Sequence, residues 1–287
     1  MVNATLSRDA VKDSVEPAVR QAGPWVERCA RIGYAAKGVV YVIIGMLALQ
    51  AAFTSGGKTT GSEGALGTIV EQPFGRVLLG LVGVGLAGYA LWRFVAAAID
   101  AENEGKDAKG IAKRVGSVIS GIAYAVLAYT AFQIIGGTAG GDAGGGGDSG
   151  RQDWTARLLA VPFGQLLTGL VGAVVIGSGL KQIAKGAKGD FSKELQLGDV
   201  PPAQQKLVVS IGRVGYIARG IVFAIMGGFL ISAAMNADPK RAKGLGSALD
   251  LLAQQPYGPW VLGVVAAGLV AYGVFMIVEA RYRRFAV

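Results

Sequence analysis

The sequence predicts an all-helical integral membrane protein with six transmembrane helices, and three observations predict it. The chain is 52% apolar and only 16% charged over 287 residues, with a mean hydropathy of +0.46, too apolar for a soluble domain. It carries 46 glycines, and small residues are what let membrane helices touch backbone to backbone. Apolar runs recur at approximately 32–53, 75–98, 115–137, 162–184, 212–235 and 258–279, each long enough for a hydrocarbon core roughly 30 Å thick.

An even number of crossings puts both termini on one side, and charge says which. All but seven of the 28 Lys and Arg residues fall on the side of the termini; the seven are Lys58, Arg76, Arg151, Arg157, Lys240, Arg241 and Lys243. Cytoplasmic segments retain positive charge, so N- and C-termini are expected to be cytoplasmic. The net charge of +9 is then a topological marker and an attraction for anionic lipid headgroups on that face, with no nucleic acid as partner.

Taken in order, residues 1–24 lack the charged, apolar and small-residue sequence of a signal peptide and read as a cytoplasmic leader able to form a surface helix. The single Cys29 excludes an internal disulfide. Beyond the leader the chain is three tandem helical hairpins: repeat 1 over 25–104, repeat 2 over 105–190 with a Gly-rich outer linker at 136–150, and repeat 3 over 206–284. The first helix of each opens on one frame, RIGYAAKGVVY from Arg31, RVGSVISGIAY from Arg114 and RVGYIARGIVF from Arg213. The second helix of each opens on Pro73-Phe74-Gly75, Pro162-Phe163-Gly164 or Pro256-Tyr257-Gly258, with a further glycine seven residues after each proline. Copies in the same orientation predict a parallel repeat and a pseudo-threefold axis along the membrane normal. Ahead of each proline lies a short, partly apolar segment expected to be a helix at the outer surface, the proline then occupying the first turn of the next span.

On a 3.6-residue helix Arg31, Tyr34, Gly38, Tyr41 and Gly45 share a sector of roughly 80°. Gly38, Gly121 and Gly220, each seven residues after its arginine, are therefore expected at helix-packing contacts, with Gly80, Gly169 and Gly263 supplying the facing small surfaces. A tyrosine-lined groove for a lipid or pigment is the functional alternative for the same stripe.

This three-copy frame resembles the bacterial membrane proteins grouped as domain-of-unknown-function family 1206, over roughly residues 25–284. The resemblance implies six transmembrane helices in a bacterial inner membrane and transfers no catalytic residue. Copy two departs most, with Ser117 in place of a tyrosine and Ser120 in place of a base.

Other motifs carry little. Residues 52–59, AFTSGGKT, match a loose nucleotide-loop pattern but follow a membrane helix and fall on the outer side, so Thr59 is expected to be silent. With no histidine, the usual haem ligand, proton shuttle and most zinc sites are gone, and no metal or cofactor is expected. Lys37 and Arg219 stand six residues along from Arg31 and Arg213, about 9 Å up the helix. Such a charge can snorkel to the boundary, pair with Glu279 or Asp100, or join Arg31, Arg114 and Arg213 in an anion or lipid-headgroup site at the helix starts. The expectation is a non-enzymatic protein that binds lipid, forms homo-oligomers or serves as a subunit of a larger membrane complex. A channel or transporter for a small anion or solute is the alternative.

Overall fold

The computed structural model describes residues 8–54, 59–99, 107–137, 148–189, 191, 195 and 201–283, with side chains from Glu27 onward except at 99, 108, 109 and 112. Nine α-helices span the described residues: α1 (Arg8–Phe53), α2 (Ser62–Val70), α3 (Gly75–Ile99), α4 (Ala108–Ile135), α5 (Asp148–Leu159), α6 (Gly164–Lys188), α7 (Pro202–Met235), α8 (Leu245–Ala253) and α9 (Gly258–Tyr282). Six of them, α1, α3, α4, α6, α7 and α9, are long and apolar enough to cross a membrane. The leader is no separate surface helix: from Arg8 it continues unbroken into the first span.

The six long helices pack in the order α4, α3, α1, α9, α7, α6. The most extensive contacts join neighbouring hairpins rather than the two arms of one, and glycine explains them. A Cβ on Gly38 would stand 2.6 Å from the Gly273 carbonyl oxygen, and one on Gly273 equally close to that of Gly38, so α1 and α9 touch through backbone. Gly220 and Gly179 repeat the same reciprocal approach between α7 and α6, and Gly227 meets Gly172 two turns further on. Between α4 and α3, Gly121 faces the Phe94 ring and Gly83 faces Ala131. Gly80 and Gly169 depart from expectation: a Cβ there would meet only Ile135 at 3.8 Å or Ala234 at 3.7 Å, ordinary contact. Gly263 is close to a side chain, the Phe53 ring, and not to backbone.

Hairpins one and three also close on themselves. Gly33 lies against the backbone of Tyr89, and Gly215 against that of Tyr272, with hypothetical Cβ atoms 2.6 Å from each amide nitrogen. Edge-to-face pairs lock them, Tyr34 on Tyr89 at 5.0 Å and Tyr216 on Tyr272 at 5.5 Å. Hairpin two has Ser117 and Ser178 at those two positions, and a Cβ on its equivalent glycine, Gly116, meets nothing within 4 Å. Among the described residues α4 and α6 share no packed interface comparable to the other five. The six helices therefore form a horseshoe open at α4 and α6, and the threefold arrangement expected from the repeats is not closed.

On the side away from the termini, α2, α5 and α8 are the three short helices expected there. Each proline precedes its spanning helix instead of lying in the first turn. The amide of Gly75 bonds the Gln72 carbonyl at 2.7 Å, that of Gly164 bonds Val161 at 2.9 Å, and that of Gly258 bonds Gln255 at 2.7 Å. Between them sit Phe74, Phe163 and Tyr257 at φ 59°, 63° and 59°, so a proline at the second position and a left-handed residue at the third make a type II-like turn. The glycine that follows is required, because a Cβ on Gly75, Gly164 or Gly258 would run into a carbonyl of the preceding short helix. Polar contacts tie the short helices together. The Asp148 carboxylate accepts from the Gly244 amide at 2.7 Å and from Ser247 Oγ at 2.6 Å, and Arg151 reaches Glu63 at 3.4 Å. Thr59 donates to Asp250, a structural partner that the nucleotide-loop reading did not supply.

Candidate functional site: a buried cationic centre

The five basic residues singled out by sequence divide into two groups. Arg31 donates from Nη1 to the carbonyls of Ala280 and Arg281 at the end of α9, and from Nε and Nη2 to Glu27 at 2.9 and 2.7 Å. Arg114 donates to Ala97 at 2.6 Å and Ala98 at 3.1 Å, the end of α3. The guanidinium of Arg213 stands beside Gly189, the left-handed residue that ends α6. Each arginine thus sits on the C-terminal end of a neighbouring hairpin's second helix, where orphan carbonyls and the negative dipole end favour a cation. These contacts also put the start of the α1 span and the end of α9 on one side. The repeated arginine was legible as a motif, but its partner was not, because the partner lies in another repeat.

Lys37 and Arg219 form the second group. Lys37 is 5% exposed, and its Nζ turns inward to donate to the Tyr89 hydroxyl at 3.3 Å, so its stem does not carry the charge out to the boundary. The ammonium lies 4.9, 5.3 and 5.6 Å from the ring centres of Tyr89, Tyr124 and Tyr272. Arg219 approaches the same Tyr272 ring, at 5.0 Å, and covers Phe223 at 4.2 Å. Its Nε donates to the Tyr41 hydroxyl at 2.9 Å and its Nη1 to Gln182. Four of the six long helices supply those rings, so the two cations face the inside of the horseshoe from either side of Tyr272.

Neither cation is paired with a described carboxylate. Glu279, 1% exposed, pairs with Arg283 four residues on, and Asp100 lies outside the described residues. Among the described residues no acidic group is within ion-pair distance of Lys37 or Arg219. Cation–π contacts and tyrosine hydroxyls offset part of the cost of two buried charges. They do not neutralise them, and an oxygen-rich anion would. At the equivalent position of hairpin two stands Ser120, half-buried and uncharged, so the repeat supplies two cations and not three. No group of His, Cys, Asp and Glu residues among the described residues could hold a metal ion.

A further aromatic cluster adjoins the centre through Tyr216 and Tyr272, whose ring centres are 5.5 Å apart. Phe191, 1% exposed, comes from the segment joining α6 to α7 and packs on Tyr216 and Phe275 at 5.1 and 4.9 Å. No sequence signal marked it, since an isolated aromatic in a connection has no periodicity.

Comparison with known proteins gives two findings. The family described as Domain of Unknown Function (DUF1206) matches three times, at residues 32–100, 115–189 and 214–283. The uncharacterized protein YxxB of Bacillus subtilis (strain 168) is 38% identical over 275 residues, which is 96% of this chain and 98% of that protein. No solved structure matches the chain.

Proposed function

Taking as premise that the chain belongs to the DUF1206 family, we propose that it is a non-enzymatic integral membrane protein that binds an anionic lipid headgroup at the Lys37 and Arg219 centre, the termini lying in the cytoplasm of a bacterial inner membrane. The observation that carries this reading is two cations around one tyrosine ring, both inside the bundle and neither with a carboxylate among the described residues. Buried charges without a counter-charge are expensive in a membrane and mark ligand sites or ion paths. A binding site is favoured over a path because the interior is filled at that level: Tyr34, Tyr89 and Tyr124 form one run of edge-to-face contacts, and Tyr41, Tyr272 and Tyr216 another.

Native mass spectrometry of the gently solubilised protein tests the proposal. Wild type should retain about one anionic phospholipid per chain, and a Lys37→Gln, Arg219→Gln double variant should lose it through the loss of charge-assisted bonds. Retention by the double variant would refute the site. A subunit of a larger complex would appear in the same spectra as a co-purifying protein.

A further inference from the structure

We infer that the gap between α4 and α6 is a lateral cleft that seats the acyl chain of a phospholipid whose anionic head reaches Lys37 and Arg219. This rests on the headgroup reading above and goes beyond it by naming where the hydrocarbon goes and from which side it enters.

The gap is built by substitution. Three large side chains that fill hairpins one and three, namely two tyrosines and a base, are Ser117, Ser178 and Ser120 in hairpin two, and the arms that carry them do not close. In a bilayer such a gap fills with lipid, since an empty space in hydrocarbon has nothing to hold it open. Its lining is graded. At helical spacing, Leu167, Val171 and Val174 are exposed along the outer part of one side of α6, and Ser178 and Gln182 continue that side toward the termini. Gln182 accepts from Arg219, so the polar end of the stripe opens on the cationic centre. From Gln182 to Leu167 is about 22 Å of helix, more than one leaflet's share of a core roughly 30 Å thick. An amphiphile fits this grading in one direction only, with its head toward the termini and its chain along the valine and leucine half. Charge complementarity makes that head anionic, and the apolar half excludes a free inorganic anion as sole occupant.

The test uses the whole protein in phosphatidylcholine nanodiscs containing phosphatidylglycerol with a photoactivatable diazirine in its acyl chain, with the labelled peptides mapped. The cleft should label saturably at 167–178, and excess plain phosphatidylglycerol should compete. Extra phosphatidylcholine or inorganic phosphate should not. Ser178→Tyr, which restores the bulk of the other hairpins, should abolish cleft labelling. The wild-type competition decides the matter even where that variant fails to fold. Lys37→Gln with Arg219→Gln should weaken the competition roughly tenfold. Labelling no denser in the cleft than on the outward-facing Ile119 and Ile122 overturns the cleft, and equal competition by phosphatidylcholine overturns the anionic headgroup. Saturable cleft labelling that ignores the double replacement leaves the acyl seat standing and overturns the headgroup assignment. No cleft labelling, with a phospholipid still retained in native mass spectra and lost from the double variant, does the reverse.

Discussion

At the scale of single residues, the position of a basic side chain in the repeat decides what its charge does. Arg31, Arg114 and Arg213 begin the frame and stand at helix ends, whereas six residues further on Lys37 and Arg219 are enclosed by rings. Two bonds from one guanidinium fork to successive carbonyls are beyond a lysine's single point of charge. Arg114→Lys should therefore lower stability nearly as much as Arg114→Gln, each by about 1 kcal/mol or slightly more, read as a shift in the detergent unfolding midpoint. Full rescue by lysine would mean that only the helix dipole matters. Sequence showed these arginines as recurrent and basic, which suits an anion site equally well. What separates the two uses is which helix end lies opposite, and a repeat does not carry that information.

At the scale of elements, small-residue spacing announced that helices touch without saying which. The stripe through Gly38 was legible because three copies agree, but its partner is Gly273 of the last helix rather than its own hairpin mate. Gly38→Leu and Gly220→Leu should each cost about 1–3 kcal/mol or prevent folding, since two backbones must separate. Gly80→Ala and Gly169→Ala should be neutral or gain about 0.5–1 kcal/mol, because the space exists and alanine is the better helix former. A loss there comparable to Gly38→Leu would restore the interface that the sequence assigned to them. The proline turns were half legible. Pro followed by an aromatic and Gly reads as a helix start, yet the positive φ falls on the aromatic, and the glycine answers a crowded carbonyl instead. Hairpin two was legible as the divergent copy through Ser117 and Ser120, but that these serines accompany an unclosed pair of helices shows only in the packing.

At the scale of the whole molecule, the proposed sidedness has a direct check. A cysteine introduced within 140–147, a stretch outside the described residues, should react with an impermeant thiol reagent in intact cells while Cys29 does not, and the reverse pattern would invert the protein. The outer cap adds a dependence on pH. Burial pushes the Glu63 carboxyl above its ordinary value, with Arg151 opposing the shift. A carboxyl raised in the folded state favours folding most below its unfolded value and loses that contribution as pH rises through the folded one. Unfolding midpoints should therefore fall over the range just above the ordinary glutamate value of 4.5, and Glu63→Gln should flatten that part of the curve; an unchanged slope would assign it to another group. The turns at the far ends of α3, α6 and α9 have a geometric consequence as well. Phe74, Phe163 and Tyr257 are 85%, 80% and 83% exposed, each held outward by a backbone that an aromatic rarely adopts, at the level where such rings anchor to the membrane interface. Three points define a plane: a single anchor fixes only how deep a protein floats, a pair leaves it free to roll, and a tripod sets its tilt. Phe163→Ala alone should therefore tip the helices, visible as altered infrared dichroism in oriented bilayers, while replacing all three should release the tilt without favouring a direction.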